Sequence, residues 1–143
     1  QIMTLLSERD RRATQNRLKV MENPVKLVCF TQETECRSCP ETRRLLQEVA
    51  ELSDKISLDV YNFQRDREEV AQYQVDKVPA TVIEGAKDYG IRFYGLPSGY
   101  EFATLVEDIL AVSLGRSQLV APTVERLRGI DRPLHLQVFV TPT

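Results

Sequence analysis

Two cysteines separated by two residues lie between a β-rich run and an amphipathic helix pattern. The run Val25–Thr31 (VKLVCFT) has the apolar, β-branched character of a strand buried in a sheet. A polar stretch and then Cys36–Pro40 (CRSCP) follow it. From Glu41 to about Ser53, apolar side chains recur at helical spacing. This order of a strand, a CxxC loop and a helix constrains the fold more than any other feature.

The rest of the chain also alternates between helix and strand patterns. A first helix with a solvent-facing side is predicted over Ser7–Met21, and Asn23–Pro24 ends it. Later elements are predicted as a strand at Ile56–Phe63, a helix at Arg67–Tyr73, an antiparallel hairpin of strands at Val78–Ile83 and Ile91–Tyr94 with its turn at Lys87–Gly90, and a helix at Tyr100–Leu114. The order predicts an α/β fold with a mixed sheet.

Length and charge limit the classes of protein. The 143 residues suffice for one domain with appendages. No apolar run approaches the ~20 residues of a membrane span, and the first residues do not resemble a signal peptide, so we expect a cytoplasmic protein without a membrane partner. A net charge of -2 provides no basic surface for nucleic acid, so nucleic-acid binding is not expected.

An internal repeat is visible near the end of the chain. Arg17–Pro24 is nearly synonymous with Arg126–Pro133, and in the same register Phe30 matches Phe139. A chance match is the alternative. We expect residues 1–24 to be an N-terminal helical extension and 25–115 a redox unit. Residues 116–143 are predicted to be a linker helix and the first strand, Leu134–Val140, of a truncated second unit. An unpaired strand there predicts a homodimer by strand exchange.

The spacing of Cys36 and Cys39 at a helix start allows a reversible disulfide, because positions i and i+3 face the same side. We assign Cys36 as the attacking nucleophile and Cys39 as the resolving thiol that releases the mixed disulfide. Backbone N–H groups and the helix dipole favour a thiolate at the first cysteine. Nearby charges act in both directions: Arg37, Arg43 and Arg44 favour the thiolate, and Glu33, Glu35 and Glu41 oppose it.

A metal site and inert core thiols are the alternatives to a redox role for the cysteines. A metal site needs four ligands, whereas one CxxC supplies two, Cys29 lies on a predicted buried strand, and His135 is distant with no partner motif. A cluster or zinc ion shared between two chains stays an alternative. Inert core thiols are another, although a charged CRSC loop is a poor core segment.

The CRSCP motif, the segment Val78–Thr81 (VPAT) entering a strand, and the last amphipathic helix together resemble the thioredoxin fold over Val25–Leu114. The stretch Phe93–Phe102 and the ending Val138–Thr143 are more specifically similar to the protein disulfide oxidoreductases, also called glutaredoxin-like proteins. Those contain tandem thioredoxin-fold units. The resemblance implies a three-layer sandwich with a central mixed four-stranded sheet and an extra N-terminal helix.

The same resemblance implies site residues and partners. Pro79 matches the proline that thioredoxin-like proteins hold in cis, with the backbone of Val78 turned toward a substrate peptide. Arg37, Ser38 and Pro40 are expected to support the redox pair. A thioredoxin reductase-like flavoprotein is the implied electron partner, and no metal or organic cofactor is expected. The family often has a buried acid in the strand before CxxC, which this sequence lacks.

The sequence therefore predicts a thiol–disulfide oxidoreductase that exchanges disulfides with protein thiols and disulfides. Reductase, oxidase and isomerase stay open, because they differ in reduction potential rather than in motif. One alternative function is a non-catalytic thioredoxin-fold module for peptide binding or assembly. The other is a metal or iron-sulfur module that bridges two chains.

Overall fold

A central four-stranded sheet organises the molecule, which we describe from a computed structural model over residues 4–141. The helices are α1 Glu8–Leu18, α2 Cys39–Ala50, α3 Arg67–Gln72, α4 Tyr100–Leu114 and α5 Ala121–Leu127; the strands are β1 Val25–Thr31, β2 Ile56–Asn62, β3 Ala80–Glu84 and β4 Asp88–Tyr94. The strand order is β2-β1-β3-β4, with β1 parallel to β2 and β3 antiparallel to both of its neighbours. The predicted mixed sheet and N-terminal helix are confirmed.

The two faces of the sheet carry separate apolar clusters. Leu27 and Cys29 of β1 point into the larger cluster, which α1, α2 and α4 cover, and Val28 and Phe30 point into the smaller one on the α3 side. All four side chains are fully buried because β1 is a central strand with helices on both sides. This arrangement confirms the predicted three-layer sandwich.

Ser7 caps the N-terminus of helix α1. The Ser7 side chain accepts a hydrogen bond of 3.0 Å from the Asp10 backbone N–H and donates one of 2.7 Å to the Asp10 carboxylate. The helix ends at Leu18, three residues before the predicted end at Met21. Thr14 and Leu18 are buried, so one side of this otherwise polar helix packs on the core.

The hairpin of β3 and β4 turns earlier than its sequence indicates. The sequence pattern places the turn over Lys87–Gly90, but β4 already begins at Asp88, which pairs with Glu84. The Gly85 N–H closes the turn with a 3.1 Å hydrogen bond to the Lys87 carbonyl. Gly90 instead lies within the strand at φ +86°, a conformation that glycine adopts without a Cβ clash.

The C-terminal segment differs most from expectation. A helix is present at Ala121–Leu127, but Leu134–Val140 is not a strand in the described chain. A strand needs a neighbour for its backbone N–H and C=O groups, and no described segment pairs with this one. The segment passes beside β4 across a cavity of about 610 Å³ and leaves Phe139 90% exposed. Its assignment to a second unit stays a prediction.

Candidate redox site

The CxxC loop connects the central strand to helix α2. Cys36 lies in the loop, and Cys39 is the first residue of the helix, two residues earlier than the predicted start at Glu41. Pro40 fits the first helical turn, where its missing N–H leaves no hydrogen bond unmade. Thr42 fixes the turn, since its hydroxyl and its backbone N–H both donate to the Ser38 carbonyl, at 2.7 and 3.0 Å.

Cys36 and Cys39 form a disulfide with their Cα atoms 5.5 Å apart. The two residues differ in access: Cys36 is half-buried, whereas Cys39 is 1% exposed. A thiolate from another molecule therefore reaches Cys36 more readily than Cys39. The positive end of the α2 dipole lies at Cys39 rather than at Cys36, because the helix begins there.

The predicted supporting residues have unequal surroundings. Ser38 occupies the N-cap of α2, yet its side chain makes no capping hydrogen bond, and its carbonyl provides the contact to Thr42. Arg37 and Pro40 are exposed. Among the acids expected to oppose a thiolate, Glu33 pairs with Arg65 at 3.1 Å, which offsets its charge.

The Val78–Pro79 segment lies at the same end of the sheet as the disulfide. Its peptide bond is cis. The register places Phe30, near the end of β1, opposite Ala80, so the start of β3 lies beside the strand that leads into the CxxC loop. The Pro79 carbonyl accepts a 2.9 Å hydrogen bond from Gly95 N–H. Val78 is half-buried and makes no backbone hydrogen bond within residues 4–141.

The sheet residues on the α2 side carry no charge near the start of the helix. Cys29 pairs with Val60 on β2 and Thr81 on β3, and it is fully buried. Burial raises the pKa of the Cys29 thiol to about 12, against an opposing effect of the Arg43 charge. The Thr81 hydroxyl is buried and has no hydrogen-bond partner.

Sequence reasoning singled out Cys29 but missed Thr81. A threonine within an apolar run looks like an ordinary strand residue, and nothing local shows that its hydroxyl is buried without a partner. The groove beside Cys39, described below, was missed for a similar reason, since it forms between segments distant in sequence.

Within residues 4–141, no group of three or more His, Cys, Asp or Glu side chains is arranged to hold a metal ion. Among the helices of the same range, none combines the length and the hydropathy that a membrane span requires.

The sheet order, the flanking helices and the disulfide at the start of α2 define a thioredoxin-fold unit with a CxxC cysteine pair. The chain belongs to the thioredoxin domain family, whose sequence pattern it matches over residues 25–107. Most of the predicted redox unit falls within this match.

Relatives with known names share this unit. The F component of the alkyl hydroperoxide reductase of Staphylococcus epidermidis is 28% identical over 130 residues, which are 90% of this chain and 23% of the relative. The chain thus spans about a quarter of the length of that curated relative. This relationship was not expected from the sequence.

Two solved structures are similar to this chain over most of its length. A protein disulfide oxidoreductase from Aeropyrum pernix K1 superposes with a TM-score of 0.76 at 30% identity, covering 86% of this chain and 54% of that one. The NTD_N/C domain of alkyl hydroperoxide reductase AhpF from Enterococcus faecalis gives a TM-score of 0.76 at 25% identity, covering 85% and 59%. The resemblance to protein disulfide oxidoreductases is confirmed.

Proposed function

We propose that this chain exchanges disulfides with protein substrates, with Cys36 as nucleophile and Cys39 as resolving thiol. The observation that carries the proposal is the disulfide between a half-buried Cys36 and a buried Cys39 at the start of α2. An exchange catalyst needs one sulfur that a partner reaches and a second that the partner does not capture. The difference in burial supports this division of roles.

The exchange proceeds through one mixed disulfide. A substrate thiolate attacks the Cys36 sulfur, the Cys36–Cys39 bond breaks, and Cys39 leaves with the bonding electron pair as a thiolate. A second substrate thiolate then attacks the substrate sulfur of the mixed disulfide and releases Cys36. The substrate has gained a disulfide, and the Cys36–Cys39 pair has been reduced by two electrons. Both released thiolates take protons from solvent. Run in reverse, the same steps reduce a substrate.

Val78 is the proposed docking position for the substrate backbone. It precedes β3 directly and makes no backbone hydrogen bond within the described residues, so its N–H and C=O are open to an added strand. Main-chain pairing of this kind fits many sequences, which suits a catalyst that acts on different proteins.

The electron partner belongs to the same proposal. We infer a thioredoxin reductase-like flavoprotein, in keeping with a relative named as a component of alkyl hydroperoxide reductase. A cytoplasmic location is also proposed.

A redox titration against glutathione tests the proposal. Cys36 and Cys39 are alkylated at each ratio and read by mass, with insulin reduction measured on the same sample. We expect turnover and a potential between about -120 and -270 mV, the range of active exchange proteins. A potential below about -300 mV without turnover would contradict exchange and favour the peptide-binding module. Zinc or colour in the purified protein would favour the metal module.

Variants of the two cysteines test the roles separately. Cys36→Ser is expected to abolish exchange, and Cys39→Ser to accumulate mixed disulfides that reducing gels release. The matched control is Cys29→Ala, which removes a sulfur outside the redox pair. Equal and complete loss in both variants, with no trapped substrate, would show that the roles are assigned wrongly.

A further inference from the structure

A groove of about 520 Å³ reaches the resolving cysteine from the side of β2. Cys39 and Arg43 of α2 form one wall, and the end of β2 and the loop after β1 form the others. Solvent enters this groove, although Cys39 itself is 1% exposed. The charged groups that line this groove are therefore the ones that act on a thiolate at Cys39.

The charged groups that line this groove come from several segments. They are Glu33 in the loop after β1, Arg43 and Arg44 on α2, and Arg65 and Asp66 after β2. Glu33 pairs with Arg65 at 3.1 Å, so these two charges largely offset each other. The Asp66 carboxylate accepts a 2.5 Å hydrogen bond from the Asn62 backbone N–H. Three arginines and two acids give the lining a formal charge of +1.

Arg43 is the arginine best placed toward Cys39. The two residues are four positions apart on α2, so they lie one above the other on the same helix face. Arg44, one position further on, is turned by about 100° around the helix. The Arg43 guanidinium makes no hydrogen bond or ion pair within residues 4–141, which leaves its charge unneutralised by a neighbouring acid.

The charge of Arg43 also acts on the buried side of the helix. It lowers the pKa of Cys29, although burial has the larger and opposite effect. Cys29 itself stays protonated near neutral pH and so supplies neither a base nor an opposing negative charge. Glu41 in the first turn of α2 and Tyr61 on β2 are the other titratable groups nearby; Glu41 is exposed to solvent, and Tyr61 lines the groove.

We propose that Arg43 is a positioning residue that stabilises the Cys39 thiolate as the disulfide opens. The inference rests on the proposed exchange function and deepens it. When a thiolate attacks Cys36, the Cys36–Cys39 bond breaks and the electron pair stays on Cys39. A cation on the same helix face lowers the energy of that leaving group, and a better leaving group departs faster.

Thiolate formation at Cys39 is the first readout. In Cys36→Ser protein, the absorbance of the thiolate near 240 nm is followed against pH, a range in which Cys29 does not titrate because its pKa is about 12. Arg43→Gln is expected to lower the thiolate-to-thiol ratio at a given pH by about threefold, the size of a modest and partly screened charge effect. Arg43→Lys should keep most of the wild-type ratio, and Arg12→Gln on α1 is the control for net charge.

The opening rate of the disulfide is the second readout. Uncharged dithiothreitol is the attacking thiol, and both cysteines are intact. We expect Arg43→Gln to slow opening about twofold, Arg43→Lys to restore it, and Arg12→Gln to leave it unchanged. Thermal melting of each variant shows that it is folded.

An unchanged thiolate ratio in Arg43→Gln would overturn the inference. It would also be overturned if opening slowed with anionic glutathione but not with dithiothreitol, because Arg43 would then attract the attacking thiol instead. Neither readout needs a protein substrate. Wild-type protein that fails to reduce insulin would therefore count against the exchange function alone.

Discussion

The backbone N–H of Leu5 donates a 2.8 Å hydrogen bond to the carboxylate of Glu48, which lies on the redox helix α2 and is buried. Arg11 of α1 contacts the same carboxylate at 3.4 Å. One acidic side chain thus attaches the N-terminal helical extension to the helix that begins with Cys39. The extension is part of the folded unit rather than a loose appendage.

Removal of the Glu48 carboxylate is expected to destabilise the fold. Glu48→Ala leaves the Leu5 N–H and the Arg11 guanidinium without this partner, so we predict a loss of about 1–3 kcal/mol in the free energy of unfolding. Urea denaturation measures it. Glu51→Ala is the control, because Glu51 is mostly exposed and lies 3.8 Å from the same arginine. Equal losses in the two variants would contradict this account.

Ser113 joins the end of α4 to the segment before β1. Its hydroxyl accepts from the N–H groups of Glu22 and Asn23 at 3.0 and 3.1 Å and donates to the Asn23 carbonyl at 2.8 Å. We expect Ser113→Ala to cost about 2–3 kcal/mol, since it leaves partly buried backbone groups unpaired. Ser117→Ala, at an exposed serine, should change little in the same denaturation assay. A loss below about 0.5 kcal/mol for Ser113→Ala would refute the prediction.

A hydrogen-bonded ion pair makes stability depend on acid pH. Arg92 donates to the Asp88 carboxylate at 2.6 Å and holds the pKa of Asp88 below its ordinary value of 3.8. The folded state thus binds this proton less readily than the unfolded state. The resulting stability is complete above that ordinary pKa and is lost as pH falls through the folded-state pKa.

Asp88→Asn tests this pH dependence. It should lower the free energy of unfolding at pH 7, and its difference from wild type should shrink as the pH falls below about 4. Asp54→Asn, at an exposed loop position before β2, is the control. A difference that stays constant from pH 7 to pH 3 would exclude the ion pair as its cause.

Cys29 is expected to be inert while the protein is folded. It is fully buried, so a reagent does not reach its sulfur. Burial also raises its pKa to about 12, so almost no thiolate is present near neutral pH. With the Cys36–Cys39 disulfide closed, iodoacetamide should label no thiol in native protein and one thiol in urea, as mass spectrometry would show. Rapid labelling of the oxidised native protein would contradict the buried position.

A homodimer through Leu134–Val140, expected from the sequence, stays a prediction. The side chains of Val138 and Phe139 are 86% and 90% exposed, and pairing with a second copy would cover them. Deletion of residues 134–143 should then convert a dimer to a monomer in light scattering, and Val138→Asp should weaken it more than Gln137→Asp. An unchanged mass after the deletion would remove the hypothesis.

The sequence predicted best the helices and strands whose apolar residues form a clear local pattern. The bounds of β1 and α4 agree with the structure because β1 is a short apolar run bounded by polar residues, and the apolar side chains of α4 cover one broad helix face. CxxC and the proline before β3 were found because each is a short motif with chemical meaning. The roles of Cys36, Cys39 and Val78 stay proposals.

Contacts between distant segments could not be predicted in this way. The Ser113 hydroxyl meets Asn23 across 90 residues of chain, and Glu48 meets Leu5 across 43. The position of Arg43 beside Cys39 follows from helical spacing, but the groove that they share exists only after β2 has packed against α2. The strand pattern at Leu134–Val140 does not produce a strand within the described chain, because a strand needs a pairing edge. Pairing of this segment with a second copy stays a prediction.

The central position of β1 in the sheet affects the order in which the strands pair during folding. Both of its partners, β2 and β3, come later in the chain and are separated from it by helices. Among the strand pairs of residues 4–141, only the β3–β4 hairpin closes locally, so the sheet is completed by the closure of long loops, which is slow compared with helix formation. We therefore expect the strand that leads into the CxxC loop to be paired on both sides only late in folding. In a newly made chain, both cysteines are exposed to solvent until the packing that buries Cys39 has formed.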